Sequence, residues 1–265
     1  MRLVWAAADS VCGPMSPLEA LTVVAAGLAA GTVNTVVGSG SLITFPTLLA
    51  VGYSPVTANV SNNIGLVPGS ISGAYGFRRE LVGQRSRVRL LATASGLGGL
   101  LGGILLLTLP SSVFDAVVPV LILVAVAMMA VQPHLAMWVA SRRNATARDV
   151  GLAPLAMVFA SGIYGGYFGA AQGVILLAVL GAFVPDDLRR SNALKNVLAG
   201  TVNGVAAILF ILFADVAWEA VALIAVGALV GGVIGARIGR RIPAPLLRAL
   251  VIVIGTAVAL RLMLG

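Results

Sequence analysis

A single lysine, Lys195, stands against sixteen arginines in this 265-residue chain. It lies in Asn192-Ala193-Leu194-Lys195-Asn196, at the head of a stretch that stays apolar as far as Phe213. Positions 192, 195, 196, 199 and 203 recur at helical spacing, so Asn192, Lys195, Asn196 and Asn203 share one helix face around Ala199. One full positive charge ringed by amide donors is the chemistry of an anion site. An earlier segment carries a similar stripe in Asn59, Asn62, Asn63 and Ser70. Two plainer readings stay open from position alone. Lys195 is five residues past Arg189-Arg190 and its stem could snorkel to headgroups, and the amides could tie helices together.

The missing residue types narrow the chemistry further. Asp115, Asp186, Asp187, Asp215 and Glu219 all fall near segment ends, so no carboxylate sits mid-span. Intramembrane carboxylates neutralise or relay cations in many carriers, so their absence argues against a cation substrate. Lys195 and the tyrosines Tyr53, Tyr75, Tyr164 and Tyr167 are left as buried titratable candidates. One cysteine, Cys12, and one histidine, His134, form neither an intramolecular disulfide nor a metal cluster, so no metal or cofactor is expected. No catalytic dyad or nucleophile–base pair is visible, and the chain does not read as an enzyme.

The elements that must position these groups follow from composition. A mean hydropathy of +1.05, with 59% hydrophobic and 10% charged residues, is too apolar for a soluble domain of this size. The net charge of +8 would suggest nucleic acid in a soluble protein. Here the arginines fall in short loops between apolar spans, where they set topology, so the partner is the lipid bilayer and no nucleic acid.

Ten apolar segments are expected, at roughly 18–37, 42–52, 56–77, 88–109, 112–131, 152–169, 173–184, 188–213, 217–238 and 244–264. The second and seventh are shorter than the ~20 residues a spanning helix needs. The predicted organisation is an N-terminal segment (1–17), a first membrane repeat (18–131), a basic cytoplasmic linker (132–150) and a second membrane repeat (151–265). The predicted fold class is an all-α integral membrane protein of two inverted-topology repeats. Each repeat has about five helical segments, the second short or discontinuous.

Internal similarity motivates the repeat. Superposing Gly38 on Gly169 aligns the short segments, and a slightly larger offset places Asn59, Asn62, Asn63 and Ser70 on Asn192, Lys195, Asn196 and Asn203. Charges then give the orientation. Arg78, Arg79, Arg85, Arg87 and Arg89 mark one loop as cytoplasmic, and Arg142, Arg143 and Arg148 mark the linker. In the second half the basic loop is the next one along, with Arg237, Arg240, Arg241 and Arg248. Corresponding loops therefore lie on opposite faces, which an odd number of crossings per repeat produces, and both termini lie outside.

Each short segment follows a small-residue turn, Gly38-Ser39-Gly40-Ser41 or Gly169-Ala170-Ala171-Gln172. A short helix starting inside the membrane aims free N–H groups and roughly half a positive charge at whatever lies before it. Ser41 is placed to cap the first such helix, and Ser39, Gly40, Ser41 and Gln172 are the expected groups near the two N-termini. Tight packing through glycine is the plainer reading of the same turns. Pro46 and Pro68 suit kinked or discontinuous helices.

The run from Gly31 to Pro46, through Asn34 and Gly38-Ser39-Gly40-Ser41, resembles the first signature of the sulfite exporter TauE/SafE family of membrane permeases. Gly162-Ile163-Tyr164-Gly165-Gly166-Tyr167-Phe168-Gly169-Ala170-Ala171-Gln172-Gly173 is similar to the second. Gly231-Gly232, Gly235-Ala236-Arg237 and Arg240-Arg241 resemble the penultimate helix and basic loop. The resemblance covers roughly residues 18–264 and implies a two-repeat transporter of sulfite, sulfonates or other small organic anions. The family's common Gly-Ile-Gly-Gly-Gly turn is replaced here by turns carrying Ser39, Ser41 and Gln172, which bears on which anion fits.

The expected function is a permease of the bacterial inner membrane moving a small anion by alternating access. Lys195 is the expected counter-charge and Asn59, Asn62, Asn63, Asn192, Asn196 and Asn203 the expected donors. Other small anions such as a carboxylate, a channel, or a non-transporting subunit remain as alternatives. A homo-oligomer is compatible with the sequence. The topology is checked by a reporter fused at residue 240, which should report the cytoplasm; an external signal there would overturn the inverted arrangement.

Overall fold

The computed structural model describes residues 15–141, 151–184, 186–238 and 244–264. Among them are ten α-helices and no strand: α1 (Pro17–Val36), α2 (Ser41–Val51), α3 (Pro55–Gly76), α4 (Arg85–Thr108), α5 (Ser111–Ser141), α6 (Leu152–Tyr167), α7 (Gln172–Phe183), α8 (Leu188–Phe213), α9 (Trp218–Ile238) and α10 (Ala244–Leu264). A short 3₁₀ helix, Arg78–Leu81, joins α3 to α4. Nine of the expected segments begin and end within a few residues of these helices. The fifth runs ten residues further than expected, to Ser141, so the region read as a linker starts as helix. Residues 142–150, with Arg142, Arg143 and Arg148, lie outside the described residues, as do Arg240, Arg241 and the first fourteen.

Local signals explain the starts. Ser16 and Glu19 form a capping box ahead of α1, Ser54 caps α3 before Pro55, and Asp187 caps α8. Six helices are long and apolar enough to cross a bilayer, while α2, α6 and α7 are shorter apolar helices. The chain is therefore a multi-pass membrane protein. Helix α3 has the length, but its stripe of Asn59, Asn62, Asn63 and Ser70 lowers its hydropathy and is buried within the protein.

Glycine sets the packing. A methyl group on Gly27 would lie 2.8 Å from the Ile224 carbonyl oxygen, and one on Gly31 2.3 Å from that of Ala228. Further along, Thr32 Oγ1 donates to the Gly231 carbonyl at 3.1 Å. Numbers rise together, so α1 and α9 run in the same direction. Helix α3 follows α9 likewise, with Gly65 on Ile224, Gly69 on Ala228 and Gly76 on Ala236. A second bundle repeats the scheme with the elements exchanged. Gly98 and Gly102 of α4 lie on Phe159 and Ile163 of α6, while Gly99 and Gly103 face Val202 and Leu209 of α8. Such backbone-close contact is the usual route to helix association in lipid, where hydrophobic burial between helices contributes little.

Each half thus contributes its fourth helix to the other half's bundle: α1, α3 and α9 form one, and α4, α6 and α8 the other. Between bundles the direction reverses. Asn63 meets Asn203, Ser70 meets Gly200, and Phe77 shares a cluster with Ala193, so α3 runs antiparallel to α8. Because α1 and α3 point the same way, α2 must carry the chain back between them, and α7 does the same between α6 and α8. Helices α5 and α10 pack on each other, on α7 and on α2 respectively.

Two helical glycines separate close packing from mere helix propensity. Gly102→Ala would place its methyl 2.0 Å from the Ile163 carbonyl oxygen, whereas nothing lies within 4 Å of a methyl at Gly204. Gly102→Ala should lower stability by about 1–3 kcal/mol. Gly204→Ala should be neutral or stabilising by up to about 1 kcal/mol. Thermal unfolding of the two purified variants in detergent checks the contrast.

Candidate functional site

The site grows from two broken helices. Helix α1 stops where Gly38 takes φ 93°, and helix α6 stops where Gly169 takes φ 80°, conformations that a side chain resists. The two helix ends match at an offset of 131 residues. Val37 and Gly38 N–H both donate to Val33 O, and Phe168 and Gly169 N–H both donate to Tyr164 O. The turns also touch: Gly173 N–H donates to Gly38 O at 3.0 Å, and a methyl on either glycine would fall within 2.5 Å of the other's Cα. One departure from symmetry is Ala171, which has φ 58°, whereas the matching Gly40 has φ −58°.

A helix that ends in the interior of the protein leaves carbonyls without partners. The polar stripes supply the missing donors, each across the bundle interface. Lys195 Nζ donates to Asn34 O at 2.8 Å and to Thr35 O at 3.3 Å. Asn192 and Asn196 Nδ2 add bonds to the same Thr35 oxygen at 3.2 and 3.3 Å. In the other direction Asn59 Nδ2 donates to Tyr167 O, at the end of α6, at 2.9 Å. Lys195 is wholly buried, so snorkelling to headgroups is not what its stem does. With no carboxylate mid-span, its partners are backbone carbonyls, at the end of a helix that carries roughly half a negative charge.

The remaining sequence candidates separate around this cluster. Asn62 Oδ1 accepts a hydrogen bond from Thr44 Oγ1 of α2. Asn63 donates to Asn203 Oδ1 at 3.4 Å across α3 and α8, while its own Oδ1 is buried without a partner. Ser39, 1% exposed, has an unpartnered hydroxyl in the α1–α2 turn. Ser41 is the first residue of α2 and does not cap it; Gly40 holds the cap position and no side chain bonds there. Gln172 is also a first helical residue, but its amide turns back to donate to Ser161 O at 3.3 Å, packed on Gly165. Sequence reasoning did not foresee the parts played by the Asn34, Thr35 and Tyr167 carbonyls. The available signal was the break at Gly38, since a helix stopped there must expose the carbonyls just before it.

Electrostatically the cluster is positive. Three N–H donors reach the Thr35 oxygen, which has two lone pairs, while Asn192 Oδ1 is a buried acceptor without a partner. Among the described residues, the buried polar set contains Lys195 but no Asp or Glu. Beside the turns, Phe45, Phe114, Tyr167 and Phe168 meet edge to face, with Phe45 and Phe168 centroids 5.4 Å apart. This apolar packing borders the polar groups.

The profile of the sulfite exporter TauE/SafE family matches residues 23–262, which include both turns and both stripes. The chain belongs to that family. It is 26% identical to the probable membrane transporter protein YfcA of Escherichia coli K12, over 94% of this chain and 91% of that one. A probable membrane transporter protein of a Sinorhizobium species, ORF9, is 25% identical over 90% of each chain. Another from Haemophilus influenzae is 25% identical, covering 77% of this chain and 79% of its own. No solved structure is a significant match. This TauE/SafE protein is a membrane transporter, and the two touching turns lie at the centre of its two bundles.

Proposed function

We propose that the protein carries a small anion of the sulfur oxyanion or sulfonate class by alternating access, with its site between the α1–α2 turn and α8. The observation that carries this reading is the buried Lys195 ammonium, bonded to carbonyls alone, with no Asp or Glu among the buried polar groups of the described residues. The end of α1 offsets about half of the charge. A bound anion would supply the rest, together with acceptors for the third ammonium hydrogen and for the Ser39 hydroxyl. Lys195, Asn192, Asn196 and Ser39 form the proposed contact set. Asn59, Asn62, Asn63 and Asn203 complete the polar interface around it.

Polar side chains and glycines also make an interface suited to rocking. The bundles meet in part through Asn63–Asn203, Ser70–Gly200 and Gly38–Gly173, a seam of small and polar groups beside apolar contacts such as Phe77 on Ala193. Inverted repeats are favoured by the common direction of α1, α3 and α9 against that of α4, α6 and α8. Arg87 paired with Asp186 supports the same topology, because it holds the α7–α8 connection on the side of the basic α3–α4 loop. With loops 78–89, 132–150 and 237–248 in the cytoplasm of a bacterial inner membrane, both termini lie outside. The oxidised-sulfur preference rests on the family description; the site itself selects by charge and donor count, which a small carboxylate also meets.

Lys195 performs two tasks in this reading, and one pair of substitutions separates them. Lys195→Gln keeps donors for the α1 carbonyls and removes the charge; Lys195→Met removes both. Both variants should lose at least tenfold of anion flux in proteoliposomes. Only Lys195→Met should also lose about 1–3 kcal/mol of stability, from the unsatisfied carbonyls. Wild-type flux by a folded Lys195→Gln protein would show that the lysine serves only as a helix cap. Sulfite, sulfate, thiosulfate, sulfonates and carboxylates are then ranked by their thermal stabilisation of the wild type, which follows ligand concentration over Kd.

A further inference from the structure

We propose that the α3–α4 connection and the first turns of α4 and α8 form a binding platform for the headgroups of anionic phospholipids. Residues 78–89 hold five arginines and one glutamate. Asp186 takes two cations of the region, pairing with Arg87 and with Arg190 at 2.9 Å. Arg78, Arg79, Arg85, Arg89 and Arg189 remain exposed on the same rim. Arg85 and Arg89 lie four residues apart on one face of α4, where like charges repel, and in its first turns, where the helix dipole also disfavours cations. A bridging phosphate removes both costs.

The rim is built rather than loose. Gln84 is buried, donates to Glu80 O at 2.9 Å and accepts from Arg87 at 3.2 Å. Arg190 reaches Val82 O at 3.3 Å, which fixes the loop to the start of α8. Apolar groups mark the depth at which it sits. Val82 is 72% exposed beside these charges, and Tyr75, 66% exposed, lies 4.1 Å beneath the Arg78 guanidinium. Exposed apolar and aromatic groups interleaved with arginines fit a bilayer interface, where tails begin and phosphates cluster, better than they fit open water. That combination selects a phospholipid over free inorganic phosphate. Because Arg190 is only five residues from Lys195 on α8, lipid held here steadies the helix that carries the buried cation.

The platform does not depend on which solute is carried, so it is tested without substrate. Full-length protein in neutral detergent is titrated with phosphatidylglycerol, phosphatidylcholine or inorganic phosphate, and thermal unfolding and lipid retention in native mass spectrometry are read. Phosphatidylglycerol should stabilise the wild type and the Arg261→Gln control, whose arginine is in the last turn of α10. Apparent affinity should fall roughly fivefold per arginine removed at the platform. The double variant Arg85→Gln/Arg89→Gln should therefore show most of the loss, with Arg78→Gln/Arg79→Gln as the second pair should the first fold poorly. Equal stabilisation by phosphatidylcholine, equal stabilisation by phosphate alone, or an unchanged response in both double variants would each overturn the proposal.

Discussion

A helix that stops in the interior of a protein must do something with its last carbonyls, and this constraint shapes the contact between the two bundles. A polar group buried there without a hydrogen bond costs several kcal/mol. Helix α1 ends at Val36, and its final carbonyls are met by Lys195, Asn192 and Asn196 from a helix more than 150 residues later in the sequence. The end of α6 is met by Asn59 from the first half. Each half therefore completes the broken helix of the other. Together with the exchange of α4 and α9 between bundles, this reciprocity means that neither half contains all the partners its own helices need.

The reciprocity is unequal, and the proposed anion site follows the inequality. One turn is held by a cation and two amides; the other by one amide and the Tyr164 hydroxyl, which donates to Ala170 O, and it has Ala170 where the first has Ser39. Asn62, the counterpart of Lys195, is engaged with Thr44 of its own half. Positive charge thus accumulates on the α1–α2 turn and α8. A site drawing evenly on both turns would lie midway between them; the proposed one lies to one side, and Gly38 and Gly173 in contact form the seam beside it.

Most of the helix plan was legible because spanning helices obey simple rules of length and polarity, and Gly38 and Gly169 announced both breaks. The stripes at Asn59–Ser70 and Asn192–Asn203 were legible as inward faces, since amides facing lipid are too costly to tolerate. What those amides bond was not legible. Their partners are largely backbone carbonyls, and every residue has one, so no residue type marks Asn34, Thr35 or Tyr167 as acceptors. Gln172 shows the converse: its position before α7 suggested a ligand group, yet the missing side chain at Gly165 lets its amide fold back onto α6. The length of α5 was missed because Pro133 and the polar Gln132 read as an end, although the helix continues past both.

The choice of lysine at this one position follows from the same geometry. Everywhere else the chain uses arginine, whose planar fork suits headgroups and paired carboxylates. Between α8 and the α1–α2 turn there is little room for a fork. A methyl on Gly38 would already lie 3.3 Å from Lys195 Cδ, so the stem occupies the space that the glycine leaves open. An ammonium is a compact charge with three rotatable donors, able to hold two carbonyls and still offer the third hydrogen elsewhere. A guanidinium would present five donors in a fixed plane to a carbonyl already crowded by two asparagines. Gly38 and Lys195 therefore form one feature: the break that frees the carbonyls also makes space for the cation that meets them.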